Sequence, residues 1–141
     1  MRRTARTALV GAIGAGLLLA APGAAVAQRN APPRGAYQPV SELVPLPDYL
    51  PGLGTLYVDP ATLPAGPFLA YDRQGTLVSS IYMIPLKDMN ARKAFSGLKV
   101  AQERADHVDI VFNAGHPGVA EPHYHVIVWY VSPARAAQLA K

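Results

Sequence analysis

Four histidines, His107, His116, His123 and His125, fall within a 19-residue window of a 141-residue chain. Imidazole titrates near neutral pH and is the commonest side-chain ligand for zinc and copper, so a cluster of four invites metal chemistry. His123 and His125 stand two apart at the start of HYHVIVWYV, a run whose Val, Ile, Tyr and Trp content is that of a strand. Residues two apart on a strand leave the same face, so both rings can reach one ion. A third ligand can come from two places. His107 approaches if strand 107–112 pairs with 123–131, and His116 approaches if the intervening loop folds over the same face. Three imidazoles around a divalent ion with an open fourth position make a catalytic zinc arrangement, and Cu²⁺ suits imidazole equally. Asp109 or Glu121 would then accept a ring N–H and fix a ligand tautomer, or act as general base toward a metal-bound water. The plain alternative is that the four rings simply hydrogen-bond to loop carbonyls. No catalytic residue can be assigned from this pattern.

Other chemistry finds little support. The chain has no Cys, which removes disulfides, thiolate zinc sites, iron–sulfur clusters and a thiol nucleophile together. It carries no G-x-S-x-G elbow, no H-E-x-x-H helix, no P-loop and no dinucleotide-binding glycine pattern. The Gly115-His116-Pro117-Gly118 stretch reads as a turn before it reads as an anion cradle.

The formal charge of +4 suggests an acidic partner until its origin is traced. Arg2, Arg3 and Arg6 precede an uncharged apolar run from Ala8 to Ala21, and the small-residue triplet Ala25-Val26-Ala27 follows. These are the three parts of a secretory signal peptide, with cleavage expected after Ala27. The apolar run is 14 residues long, against about 20 for a bilayer-spanning helix, so no stable membrane anchor is expected. Export by either the general secretory or the twin-arginine route leads to the periplasm or the medium. Without those three arginines, ten basic residues face nine acidic ones, a net +1 with no basic cluster. Nucleic acid is therefore not an expected partner.

The elements that must position the histidines follow from turns and periodicity. Residues 28–39 (QRNAPPRGAYQP) have no hydrophobic period and read as a flexible lead, leaving 40–141 as one domain. Thr55–Val58 is a short strand. Phe68–Asp72 and Thr76–Ile84 flank Arg73-Gln74-Gly75, a three-residue loop ending in Gly that predicts a hairpin. Leu86–Leu98 predicts a short helix with Ala91, Ala94, Phe95 and Leu98 on one face. His107–Phe112 alternates as a strand with one buried face, and His123–Val131 is apolar on both faces, as a central strand should be. Ser132 and Pro133 open a final helix running to Lys141. The expectation is an α+β domain with a mainly antiparallel sheet and two short helices.

The motifs Asp106-His107-Val108-Asp109, Asn113-Ala114-Gly115-His116-Pro117 and Pro122-His123-Tyr124-His125, running on to Trp129-Tyr130, resemble a known pattern. It is that of an uncharacterised family of small exported bacterial proteins, a domain of unknown function first structurally described from Thermus. Pro67–Asp72 and Tyr82–Lys87 resemble the same family, and the likeness spans about Leu50 to Ser132. Many members place a second His four residues after the first on the final strand, where this chain has Ile127 and instead carries its extra His at 125. Both spacings keep the second ring on the same face. The resemblance implies an exported α+β domain that assembles into homo-oligomers through sheet edges, and it implies no reaction. The leading expectation is a transition-metal binder using His123, His125 and either His107 or His116. The competing ones are a metal-free structural or interaction module of the cell envelope, and a metal-dependent enzyme of unknown substrate.

Overall fold

The computed structural model describes residues 30–141. The expected signal peptide, its cleavage point and the first two residues of the expected lead lie outside the described residues.

Among the described residues, six strands form one antiparallel sheet: β1 (Gln38–Pro39), β2 (Thr55–Val58), β3 (Phe68–Tyr71), β4 (Leu77–Pro85), β5 (His107–Asn113) and β6 (His123–Trp129). Their spatial order is β1-β2-β3-β4-β6-β5. Three short helices accompany them: α1 (Val40–Leu43), α2 (Leu86–Asn90) and α3 (Pro133–Ala136). The architecture is α+β with an antiparallel sheet, as expected, and α1 is the helix the sequence did not signal. No helix among the described residues is long and apolar enough to cross a membrane.

The sheet carries apolar residues on both faces. Directly opposed residues of an antiparallel pair share a face. Ile81, Met83 and Pro85 of β4 therefore lie beside Ile127, His125 and His123 of β6. Ala70, Ile81, Ile127, Trp129 and Leu139 form the core on this side, where Leu139 comes from the C-terminal segment. On the other face Leu69, Tyr71 and Leu77 pack with Ala101, Ala31 and Tyr37. Tyr82 Oη donates to Lys99 O at 2.6 Å, tying the irregular segment after α2 to that face.

Three expectations are corrected here. The lead is not free from Asn30 onward: Ala31 N–H donates to Gly75 O at 2.8 Å, and Gln38 and Pro39 pair with Val58 and Tyr57. Its prolines forbid a helix, but an edge strand of two residues needs none. The helix expected over 86–98 stops at Asn90, because Arg92 adopts a left-handed φ of 57° that no α-helix continues through. Finally, β5 has no buried face. It is the sheet edge beyond β6, and its Val108, Ile110, Val111 and Phe112 are all exposed.

The predicted hairpin is present, and one carboxylate secures it. Gly75 sits at φ 77°, where an L side chain would be strained, and Gly75 N–H donates to Asp72 O. Asp72 is buried. Its Oδ1 accepts from the N–H groups of Gln74 and Thr76, both at 2.9 Å, and its Oδ2 accepts from Arg135 Nη2 of α3 at 2.6 Å. Ser132 and Pro133 open α3 as expected, with Ser132 Oγ accepting from Arg135 N–H. One buried acid thus joins the β3–β4 turn to the C-terminal segment. Asp72→Ala is expected to cost about 2–3 kcal/mol by orphaning those turn donors, and Arg135→Ala less, since the guanidinium is partly exposed. Denaturant unfolding of both variants measures this, and equal losses would contradict the turn-centred account.

Candidate metal centre

Strand β6 delivers two of the rings. His123 and His125 leave the same face near its start, where His123 pairs across to Pro85 on one side and Asn113 on the other. With strands on both flanks, His123 is fully buried. The third ring arrives from the loop between β5 and β6. There Asn113 Oδ1 accepts from Gly115 N–H, while His116 and Val119 exchange backbone hydrogen bonds at 2.8 and 2.9 Å. The N–H groups of Gly115, His116 and Val119 are thus spent within the loop, as in a turn. Gly115 is required: at φ 129° its absent Cβ would stand 2.6 Å from Ala120 O.

His116, His123 and His125 each offer a ring nitrogen such that all three nitrogens lie within 4.8 Å of one another. His123 Nε2 and His125 Nε2 are 3.0 Å apart. His123 Nδ1 lies 2.7 Å from Glu121 O, and His116 Nδ1 lies 2.9 Å from Pro117 O. A carbonyl oxygen can only accept, so both Nδ1 atoms carry a proton, and in the neutral ring Nε2 is then the atom with the lone pair. That tautomer is the one a metal-ligating imidazole needs. The short His123–His125 contact then makes His125 Nε2 the N–H donor when only protons are present.

One of the three, His125, is kept neutral. Burial, then His123 and His116 nearby, lowers the pKa of His125 to about 4. No carboxylate belongs to the group among the described residues. An ion held by these three rings would therefore keep its whole positive charge.

The structure does not bring His107 or Asp109 here. β5 runs antiparallel to β6, so His107 lies opposite Trp129, six residues and about 20 Å of strand from the level of His123. His107 Nδ1 is 2.9 Å from Asp106 Oδ1, and its ring stacks on Trp129 at 5.9 Å. Asp109 Oδ2 accepts from Trp129 Nε1 at 2.8 Å. Glu121 is adjacent, but its carboxylate pairs with Lys87 Nζ at 2.6 Å on the surface; it is the backbone carbonyl of Glu121 that orients His123. Those two carbonyls, of Glu121 and Pro117, are the groups that sequence reasoning missed. Main-chain acceptors leave no residue-type signal.

No family model matches the chain, and no curated protein matches it. Among solved structures, the crystal structure of a hypothetical protein from Thermus thermophilus, TTHB210, is similar, with a TM-score of 0.61 and 46% sequence identity over 67% of this chain and 87% of that one. The chain belongs to the family of that protein. The membership agrees with the Thermus likeness drawn from the motifs, and it assigns no activity.

The lowered pKa of His125 has a pH signature. Unfolded, His125 takes up a proton near its ordinary 6.5; folded, only near 4. Between these values the unfolded state binds more protons, so stability falls as pH drops from about 6.5 and levels off below about 4. Chelator-treated protein melted across this range should show that decline, and His125→Gln should flatten it. An unchanged slope in the variant would place the titration elsewhere.

Proposed function

We propose that this is an exported protein that binds one divalent transition metal, Zn²⁺ or Cu²⁺, through Nε2 of His116, His123 and His125. In this reading residues 1–27 are the signal removed on export, and the remainder is one domain in the periplasm or medium. The observation that carries it is the convergence of one ring nitrogen from each of the three histidines within 4.8 Å, with Nδ1 of His116 and His123 already taken by backbone carbonyls, which leaves Nε2 as their ligand atom. Zinc–nitrogen bonds of about 2.0–2.1 Å in a tetrahedron put ligand nitrogens roughly 3.3 Å apart, so His123 and His125 already stand near ligand spacing. Of the three His motifs shared with the family likeness, the Gly-His-Pro turn and the Pro-His strand would make the site. The Asp-His motif would instead brace Trp129.

Isothermal titration of chelator-treated protein should show one Zn²⁺ per chain. His116→Ala and His125→Ala should each weaken it about a hundredfold or more, beyond what loss of an outer partner costs, while His107→Ala leaves it unchanged. Equal binding by His107→Ala and a much weaker His116→Ala and His125→Ala identifies the three-His site; loss in His107→Ala, or none in the other two, refutes it.

A second reading concerns assembly and rests on a different observation. β5 is a seven-residue edge strand with unpaired backbone on one side and Val108, Ile110 and Phe112 exposed at 53%, 68% and 52%. Such an edge is a template for pairing with another strand. We propose that two copies join through β5. Sedimentation of the wild type should give an oligomer, and Ile110→Lys should shift it toward monomer. A wild type that sediments as a monomer rules this out.

A further inference from the structure

A cavity of about 440 Å³ opens directly beside the three imidazoles. It lies on the same sheet face, roofed by α1 and the chain that follows it, and by the 116–119 turn. His116 and His125 form part of its wall, whereas His123 stands behind them in the core. Asn113, His116 and His125 are its polar side chains, and they are neighbours: Asn113 pairs with His123, two residues from His125, and the His116 ring lies 5.8 Å from that of His125. Everything else on the wall is apolar or backbone-like, including Leu56, Phe68, Ile81 and Met83. Leu43 and Leu63, exposed at 40% and 46%, mark its mouth. The cavity is therefore polar at one end and apolar along its length.

We infer that the three-histidine metal centre and this cavity form one binding site for a carboxylate with an unbranched apolar tail, the carboxylate on the metal and the tail in the cavity. The inference rests on the metal reading above. Three neutral ligands leave a divalent ion with its charge uncompensated and, in a tetrahedral site, with one position open. His123 lies on the core side and the cavity on the other, so a fourth ligand enters from the cavity. An anion is the ligand such a centre favours, and Zn²⁺, a borderline ion, takes a carboxylate oxygen alongside imidazole nitrogens. Asn113 Oδ1 is engaged by Gly115 N–H, which leaves its amide N–H groups as the donors offered to a second carboxylate oxygen. The cavity volume falls in the range of small-molecule sites, and an apolar cavity gains by taking hydrocarbon in place of water. A polar body would leave its own groups unpaired against Leu56, Phe68 and Ile81. The 116–119 turn packs closely on the segment after α1: a Cβ at Gly118 would stand 2.6 Å from Val44 Cγ1.

The test titrates the full chain with Zn²⁺ and then with saturated carboxylates from butanoate to octanoate, following heat or the stabilisation of the zinc form. Affinity should rise about fourfold per methylene, about two hundredfold across the series, and only when zinc is bound. Leu56→Trp, filling the interior, and Leu43→Trp, at the exposed mouth where folding is not at stake, should keep zinc binding and lose the dependence on tail length. Failure to bind zinc overturns the metal reading and this inference with it. Zinc binding with no tail dependence, or octanoate binding equal with and without zinc, overturns this inference alone. A cavity already filled by the apolar segment Ala8–Ala21 of the same chain, or by a second copy, would also show as no tail dependence and overturn it.

Discussion

The sharing of β6 between β4 and β5 is the constraint on which the rest depends. A strand hydrogen-bonded on both sides fixes the position of every side chain it carries, and β6 places His123 and His125 on one face with Ile127 and Trp129. The same sharing buries His123 completely. A buried imidazole must satisfy two nitrogens without water. One is met by Glu121 O just before the strand, and the other meets a nitrogen of His125 on the strand itself. Core packing and ligand geometry are thus set by one register. A slip of one residue would turn both rings to the opposite face and replace them with Tyr124 and Val126.

The chemistry of the site follows from what is kept away as much as from what is present. Glu121 and Asp109 are close in sequence, but each carboxylate is engaged elsewhere, with Lys87 at the surface and with Trp129 further along β6. At three imidazoles without an acid, protons and any metal ion would compete for the same lone pairs. The group carries no carboxylate of its own, and it stands beside a largely apolar cavity.

Strands were legible in the sequence where alternation or turn chemistry marked them. Arg73-Gln74-Gly75 announced the β3–β4 hairpin, and the two-face apolar content of 123–131 announced a central strand. The cluster of histidines was visible, but the choice between His107 and His116 was not. Both lie within reach on a linear reading, and only the antiparallel direction of β5 sends His107 to the far end of the sheet. The cavity left no trace in periodicity, because α1, the Leu50–Leu53 turn and Leu63-Pro64 that line it come from proline-rich stretches with no repeating pattern. The exposed apolar face of β5 was misread as buried for a similar reason: alternation reports that a strand has an apolar side, not that anything covers it.

The order of elements along the chain also governs when the fold can close. β6, which joins β5 to the rest of the sheet, begins at residue 123, and the Arg135 that binds Asp72 follows it. Without β6, β1 to β4 form a meander whose β4 edge is open, and β5 has no strand to pair with. The turn at Asp72 waits for a partner 63 positions later. The native sheet is therefore completed only when β6 takes its place between β4 and β5, and the three histidines come together in that same step.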